Sequence, residues 1–427
     1  MIMDKTYSRA EVADILSVSK RTLAQWRKSG FLEPALGGGL YEEAQLLQFD
    51  AVREMLESDW ETESAVTPAR PYRSVELFAG AGGLALGLEQ AGFKPVLLNE
   101  IDRDACATLS KNRPEWPVML GDVAELDFQR LKGQVDFLSG GFPCQAFSYA
   151  GQKRGFEDTR GTLFYEFGRA IRELRPRVFL GENVRGLLNH DGGRTVETIR
   201  SVLTGLGYTL IEPKVLKAIF YRVPQKRERL FFVGIRNDFA DCAESFSWPA
   251  PYKRILNLRD ALKAGELFSA DVPESLGQTY PERKKEILSQ VPAGGYWRDL
   301  PDALQREYMK QSYFLGGGKT GMARRLSWDE PSLTLTCAPA QKQTERCHPE
   351  ETRPLTVREY ARVQTFPDDW VFSGSVGSQY KQIGNAVPVN LASAVGRRLV
   401  HLLNQIEEVA PMTGESSVRQ LSLAVKA

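Results

Sequence analysis

The chain has 427 residues and near-balanced charge, 55 Lys plus Arg against 54 Asp plus Glu, for a formal +1. That length accommodates two or three domains. The balance excludes a global basic field, so any nucleic-acid surface has to be a local patch offset by acid elsewhere. Five scattered cysteines (Cys106, Cys144, Cys242, Cys337, Cys347) argue against a disulfide framework, and no apolar run reaches bilayer length. With no signal pattern at the N-terminus, a reducing cytoplasm is the expected compartment. Cys347 and His348 are adjacent, but no second pair stands at ligand spacing, so no metal is expected.

Residues 7–58 read as a small module of their own. Ser8 and Glu11 have capping-box spacing, and Val12, Ile15 and Leu16 recur at helical spacing. After a turn at Ser17-Val18, Ser19 caps again, and residues 20–29 predict a second short helix carrying Lys20, Arg21, Arg27 and Lys28. Two short helices joined this way, the second basic, read as a helix-turn-helix with Lys20, Arg21 and Arg27 toward DNA. A basic, solvated helix in a packing or dimerisation domain is the plainer alternative. Gly37-Gly38-Gly39 predicts a wing before a third helix from Tyr41, and the order in YSRAEVADILSVSKRTLAQWRKSGFLEP resembles the winged helix of MerR-type regulators. Residues 58–73, polar and holding Pro68 and Pro71, predict a linker.

From Ser74 the pattern alternates between strands and helices. Residues 75–79 predict a strand, followed by Gly80, Ala81, Gly82 and Gly83 and a helix that Gly92 stops. Strand, glycine turn and helix open a nucleotide-binding unit, where glycines let a ligand approach and the helix start offers free N–H groups. An ordinary tight turn has the same composition. The next apolar run ends in Asn99-Glu100, where an acid that binds ribose hydroxyls belongs, which favours the ligand reading. No later glycine supports a pyrophosphate, so S-adenosylmethionine, an adenosine with a methionine tail, suits the motif better. A third strand, 117–120, ends in Gly121-Asp122-Val123, where Asp122 either accepts from an adenine amino group or caps the next segment.

Residues 135–139 predict a fourth strand that breaks at Gly140-Gly141 into Phe142-Pro143-Cys144-Gln145. The two glycines let the backbone turn and approach a ligand closely, and Pro143 stiffens the approach to Cys144. A cysteine on a rigid loop at the carboxyl end of a strand stands where open α/β sheets bind ligands, and its thiolate is a nucleophile. A buried, inert thiol is the plainer reading of a lone cysteine. A fifth strand, 177–180, leads to Glu182. Gly80, Glu100, Asp122, Cys144 and Glu182 thus end successive predicted strands, and in a doubly wound sheet those ends face one crevice. Arg227 and Arg229 lie in the basic knot VPQKRER, a phosphate or base clamp beside a nucleophile and an ordinary solvated loop elsewhere. From about residue 237 to 352 the rhythm is lost, and Lys319, Arg324, Trp328 and Arg346 mix cations with aromatics as nucleic-acid surfaces do. Residues 353–369 predict a helix, Gly384-Asn385 opens a last one to about Leu403, and the tail beyond Val409 is expected to be mobile.

An ordered set of motifs spanning roughly residues 73–400 resembles the DNA (cytosine-5)-methyltransferases of bacterial restriction–modification systems. These are FAGAGG (78–83), NEID (99–102), GDV (121–123), GGFPCQAFS (140–148), GFEDTRGTLF (155–164), ENV (182–184), QKRER (225–229), RPLTVREYARVQTFPD (353–368) and GNAVPVN (384–390). The resemblance implies an α/β fold, a Rossmann-like sheet with helices on both faces, plus a smaller irregular target-recognition domain beside the winged-helix-like module. The implied boundaries are 1–60 for that module, 61–72 for the linker, 73–240 for the catalytic domain, 241–374 for target recognition, 375–408 for a return to the catalytic domain and 409–427 for the tail.

By the same resemblance, Cys144 attacks carbon 6 of a flipped cytosine, and Glu182 holds N3 and the amino group with a raised pKa. Arg229 and Arg227 brace the base carbonyl and loop phosphates, and Pro143 belongs to a loop that closes on DNA, freed by Gly151 and Gly155. The implied cofactor pocket takes in Phe78, Gly80, Ala81, Gly82, Gly83, Leu84, Glu100, Ile101, Asp122, Val123, Pro143, Leu163, Asn385 and Ala386, with Phe78 and Ile101 around adenine. Gln145, Ser148, Arg227 and Thr334 are implied to meet DNA, although β propensity alone explains Leu-Thr-Leu-Thr at 333–336. The implied cofactor is S-adenosylmethionine, leaving as S-adenosylhomocysteine, with no metal. Implied partners are duplex DNA in the bacterial nucleoid and a restriction endonuclease acting on the same site without a stable complex. A catalytic monomer is expected, with dimerisation through the N-terminal module as the alternative.

A DNA-binding regulator on an inactive methyltransferase fold and an RNA methyltransferase compete with this reading. Intact Cys144, Glu182 and Arg229 count against the first, and the long 237–352 region, suited to the major groove, counts against the second. Both roles are expected to coexist, the enzyme modifying its target while the N-terminal module represses its own promoter.

Overall fold

The computed structural model describes residues 5–35, 37–143, 162–317 and 319–409. The N-terminal module opens with β1 (Thr6–Tyr7), α1 (Arg9–Leu16) and α2 (Lys20–Lys28). Ser8 and Glu11 close a full capping box on α1, Ser17 ends that helix in the left-handed conformation (φ 58°), and Ser19 caps α2. β2 (Tyr41–Glu42) pairs antiparallel with β1 and so draws the Gly37–Gly39 turn toward α2. α3 (Glu43–Leu46), α4 (Asp50–Leu56) and α5 (Trp60–Ser64) complete the module. Its core of Val12, Ile15, Leu23, Tyr41, Val52 and Met55 is continuous with Ile219 and Ile255 of the larger body.

The stretch expected as a linker, 61–72, is instead built into the protein. Glu63 is buried, accepts the Ala250 N–H at 2.9 Å and pairs with Arg398 at 3.4 Å. Asn404 accepts from the Ala69 N–H at 2.9 Å and donates to the Thr67 carbonyl at 2.9 Å. Polar and proline-rich composition reads as a loose connection, but here Glu63 and the Thr67 and Ala69 backbone groups find partners distant in sequence.

The catalytic body runs β3 (Tyr72–Leu77), α6 (Gly83–Ala91), β4 (Phe93–Glu100), α7 (Arg103–Asn112), β5 (Val118–Leu120), β6 (Phe137–Gly140), α8 (Leu163–Leu174) and β7 (Val178–Val184). Then come α9 (Arg194–Gly205), β8 (Tyr208–Leu210), β9 (Lys214–Lys217), β10 (Gln225–Lys226) and β11 (Glu228–Arg236). The sheet order is β5-β4-β3-β6-β7-β11-β8, with β9 also on β11. The first five strands are parallel, and β11 runs antiparallel to β7, β8 and β9. Strand residues alternate between two apolar layers: Phe231 and Val233 face one, Leu230 and Phe232 the other. β6 joins β3 on the side opposite β4, so the order reverses at β3 and opens a crevice at the strands' carboxyl ends.

The remaining elements are α10 (Leu258–Leu262), α11 (Glu282–Ser289), α12 (Asp302–Met309), β12 (Ser332–Leu333), α13 (Val357–Val363), α14 (Val376–Asn385) and α15 (Val389–Val409). Residues between Tyr280 and Cys347 form a small core of their own around Trp297, Tyr308 and Met309. β12 pairs in parallel with β10 and stitches this region to the catalytic body. The helix expected over 353–369 is only α13, because Thr356 caps its start and Thr365 turns left-handed (φ 59°) beyond its end. α15 returns to the sheet and crosses α6 at very short range, since a Cβ on Gly87 would lie 2.4 Å from Ala392 Cβ.

Candidate active site

A cleft of about 800 Å³ lies over the carboxyl ends of β3, β4, β6 and β7. Its walls are short continuations of those strands: Phe78 to Gly80, Glu100 to Asp102, Gly141 to Pro143, and Glu182 to Val184. Arg229 is the second residue of β11, and the antiparallel register sets it opposite Val184, so it shares a face with Glu182 and meets it diagonally. Arg229 Nε lies 2.6 Å from Glu182 Oε1. Burial pushes the Glu182 carboxyl above its ordinary value, with the Arg229 and Arg227 charges pulling the other way. The cleft therefore holds a carboxyl biased toward its protonated form beside a fixed cation.

The loop leading to Cys144 is held over this pair. Asn183, on the opposite face of β7, donates from Nδ2 to the Phe142 carbonyl at 2.7 Å. A Cβ on Gly141 would lie 2.9 Å from Glu182 Oε2. The glycine pair predicted to turn the chain serves contact instead: neither takes a positive φ, and each lets a side chain press against bare backbone. Cys144, Gln145 and Ser148, with the hinge glycines Gly151 and Gly155, lie outside the described residues.

At the opposite end of the cleft, Glu100 accepts from the Gly80 N–H at 2.7 Å and from the Ile101 and Asp102 N–H groups at 2.9 and 2.8 Å. Nothing lies within 4 Å of a Cβ on Gly80, and the Ile101 side chain is 68 % exposed, so open space stands between them. Phe78 lines the same space with a left-handed backbone (φ 60°). Leu84, Gly83, Asn385 and Ala386 also line the cleft, which brings the returning C-terminal segment to its wall. These features fit an adenosine with a cationic tail: a carboxylate for hydroxyls, apolar flanks for a base, and acids facing the remaining space.

Several expected positions fall elsewhere. Gly82 lies outside the lining, where a Cβ would meet Leu109 Cδ2 at 2.6 Å; Gly83 lines the cleft and also packs closely, a Cβ there lying 2.2 Å from the Val387 carbonyl oxygen. Ala81 is buried, and Val123 is buried with its carbonyl taken by Arg169. Asp122 does not line the cleft, and its carboxylate caps the next segment by accepting the Ala124 N–H at 2.9 Å. Leu163, at the start of α8, is also outside the lining.

Arg227 corrects the reading of the basic knot. Only 1 % exposed, it donates to the carbonyls of Leu335 at 3.1 Å and Gly384 at 2.9 Å, and burial holds its pKa well below the ordinary arginine range. It bolts three chain segments together through the carbonyls of Leu335, Gly384 and Asn385. Thr334 likewise spends its hydroxyl on the Lys226 carbonyl at 2.5 Å. Lys20 pairs with Glu330 at 2.6 Å, while Arg21 and Arg27 are exposed and make no ion pair among the described residues.

Sequence reasoning missed Glu76. It lies in the cleft floor, 5 % exposed, with Ser139 Oγ at 3.3 Å, and burial pushes its carboxyl up to about 8. Its placement within VELFA, a strand of apolar type, was the available signal: a buried acid beneath a ligand cleft. Lys381, which pairs with Asp102 at 2.9 Å on the cleft rim, carried no such signal.

Fold and cleft define an α/β methyltransferase architecture, and comparison with known proteins places it more narrowly. Residues 72–401 match the family of C-5 cytosine-specific DNA methylases, and residues 7–68 match the MerR HTH family of regulatory proteins. The chain is 64% identical over 411 residues to Type II methyltransferase M.Eco47II of Escherichia coli, covering 95% of this chain and 98% of that one. It is 50% identical over 349 residues to Type II methyltransferase M.Sau96I of Staphylococcus aureus, covering 80% and 79%. Among solved structures, a DNA modification methyltransferase encoded within an E. coli prophage aligns with a TM-score of 0.55 and 25% identity over 78% of this chain and 99% of that one. The chain belongs to the C-5 cytosine-specific DNA methylases and is a DNA (cytosine-5)-methyltransferase with a MerR-like N-terminal extension.

Proposed function

We propose that the chain methylates carbon 5 of a cytosine within a specific duplex sequence, through a covalent bond from Cys144 to carbon 6 of the flipped base. The observation that carries this reading is the buried Glu182–Arg229 pair at 2.6 Å, walled by the Gly141–Pro143 backbone that leads directly into Cys144. The Cys144 thiolate adds to carbon 6 and makes carbon 5 nucleophilic. Glu182, whose carboxyl burial pushes upward, shares a proton with N3 as negative charge builds in the ring, and Arg229 fixes the carboxyl's orientation and the local charge. S-adenosylmethionine, held by Glu100, Phe78, Ile101 and Asn385, supplies when bound the methyl group that carbon 5 takes up. Transfer of the carbon 5 proton to water, expulsion of the thiolate and return of the N3 proton to Glu182 then restore the ring and free Cys144.

The biological setting is protection of host DNA in the cytoplasm against an endonuclease that cuts the same sequence, with the protein acting as a monomer. The match of residues 7–68 to MerR regulators supports a second role as repressor of the chain's own promoter. Deleting residues 1–60 is a poor test of that role, because it uncovers Ile219 and Ile255. Arg21→Ala with Arg27→Ala in a promoter reporter is the cleaner one, and unchanged repression counts against autoregulation. For the enzyme, plasmid DNA from a host expressing the protein is sequenced for methylcytosine beside a Cys144→Ala control. One methylated motif, absent from the control, is expected; methylation retained in the control refutes the nucleophile assignment.

A further inference from the structure

The helix-turn-helix is docked against the target-recognition region with its charged ends interlocked. Lys20, the first residue of α2, pairs with Glu330 at 2.6 Å. Lys226 of β10 pairs with Asp14 of α1 at 2.7 Å and approaches Glu330 at 3.7 Å. Lys217 Nζ donates to Ser17 Oγ, and Ile219 and Ile255 complete the module's core. The turn between α1 and α2 is therefore seated on β9 and β10, the strands that lead into Arg229.

Two grooves meet at this joint. One, of about 830 Å³, lies between α2 and the turn at Gly38 to Leu40; Arg9, Lys20, Arg27 and Lys28 line it, and no carboxylate does. The other, of about 500 Å³, lies between the module and the target-recognition region, where Lys20, Lys226 and Arg324 share the lining with Asp299 and Glu330. Lys20 lines both, so the grooves join. Arg324 Nε has no hydrogen-bond partner, and no carboxylate pairs with its guanidinium among the described residues. Arg9, Arg27 and Lys28 are likewise without ion pairs among those residues, in a chain whose formal charge is only +1. Arg324 beside the target-recognition region and Arg9, Arg27 and Lys28 along the helix groove thus stay without ion pairs on either side of the Lys20–Glu330 and Lys226–Asp14 pairs, and a groove lined by such cations matches the phosphate backbone of a duplex.

We propose that the N-terminal module holds the flank of the same duplex whose cytosine is methylated, extending the target-recognition surface to one side of the site. This rests on the DNA-methyltransferase reading. The module then contributes affinity in every catalytic encounter, through phosphates rather than bases, and its effect depends on duplex length and side.

The test uses the full-length enzyme and the motif found by methylation sequencing. Hemimethylated duplexes fix which cytosine is the substrate; one is trimmed close to the motif, and two are extended by about one helical turn (~10 base pairs) on either side. For the wild type, KM should fall at least tenfold on one extension and change little on the other. In Arg27→Ala/Lys28→Ala the long-to-short ratio should approach one, and the salt slope on the long duplex should drop by about two. Taking the ratio within each protein cancels any loss of active fraction. A wild-type ratio near one, equal gains from both extensions, or a ratio unchanged in the double variant overturns the proposal. Failure of the wild type to methylate any of the duplexes overturns the enzymatic reading instead.

Discussion

Replacing Glu76 by Gln should flatten the pH dependence of folding stability between about pH 6 and about pH 9. Burial lifts the native carboxyl from 4.5 to about 8, while in the unfolded chain it keeps its ordinary value. Across this range the unfolded carboxyl is ionised and the native one takes up a proton as the pH falls. The native state therefore binds more protons, and stability rises toward acid. The contribution is complete below the ordinary carboxyl range and is lost as the pH climbs through about 8. Integrated from about pH 9 to about pH 6, it amounts to about 2.5 kcal/mol. Glutamine has the same shape and no titration, so the variant should lack this increment while every other group titrates as before. Urea denaturation of both proteins without ligand, at a series of pH values, measures it as the change in their difference. Parallel stability profiles would show that Glu76 is ionised in the fold, and the burial argument would fail.

Removing Arg229 takes away the cation that pulls against burial at Glu182, so the Glu182 carboxyl should rise further. In Arg229→Ala the alkaline limb of the methylation pH profile should move to higher pH, and the single-turnover rate should fall on the order of a hundredfold. Arg227→Met leaves the carbonyls of Leu335 and Gly384 without their donor. Its denaturation midpoint should drop while the salt slope of DNA binding stays that of the wild type; a reduced slope would return Arg227 to the DNA surface. Gly87→Leu forces a side chain into the α6–α15 contact, where even a Cβ lies 2.4 Å from Ala392. It should cost at least ~3 kcal/mol and make α15 the first site of limited proteolysis. Unchanged protease resistance would show that the two helices are not held this closely.

The residues at the carboxyl ends of the parallel strands were legible in the sequence because each directly follows an apolar run. Glu100 and Glu182 could be placed with no knowledge of packing, and the sheet's class followed from the alternation. Sequence position could not say what each side chain faces. Gly83 and Gly141 read as openings for a ligand, yet Gly83 makes room for the Val387 carbonyl and Gly141 for the Glu182 carboxylate. Arg227 and Arg229 stand two apart in one basic knot, and only the register of β11 against β7 and the return of residues 384–386 decide that one enters the cleft and the other is buried as a bolt. Charge and spacing are local properties, written in neighbouring residues. Burial, pairing across strands and the docking of the first sixty residues onto β9 and β10 join segments far apart in the chain, so they exist only once the tertiary structure has formed.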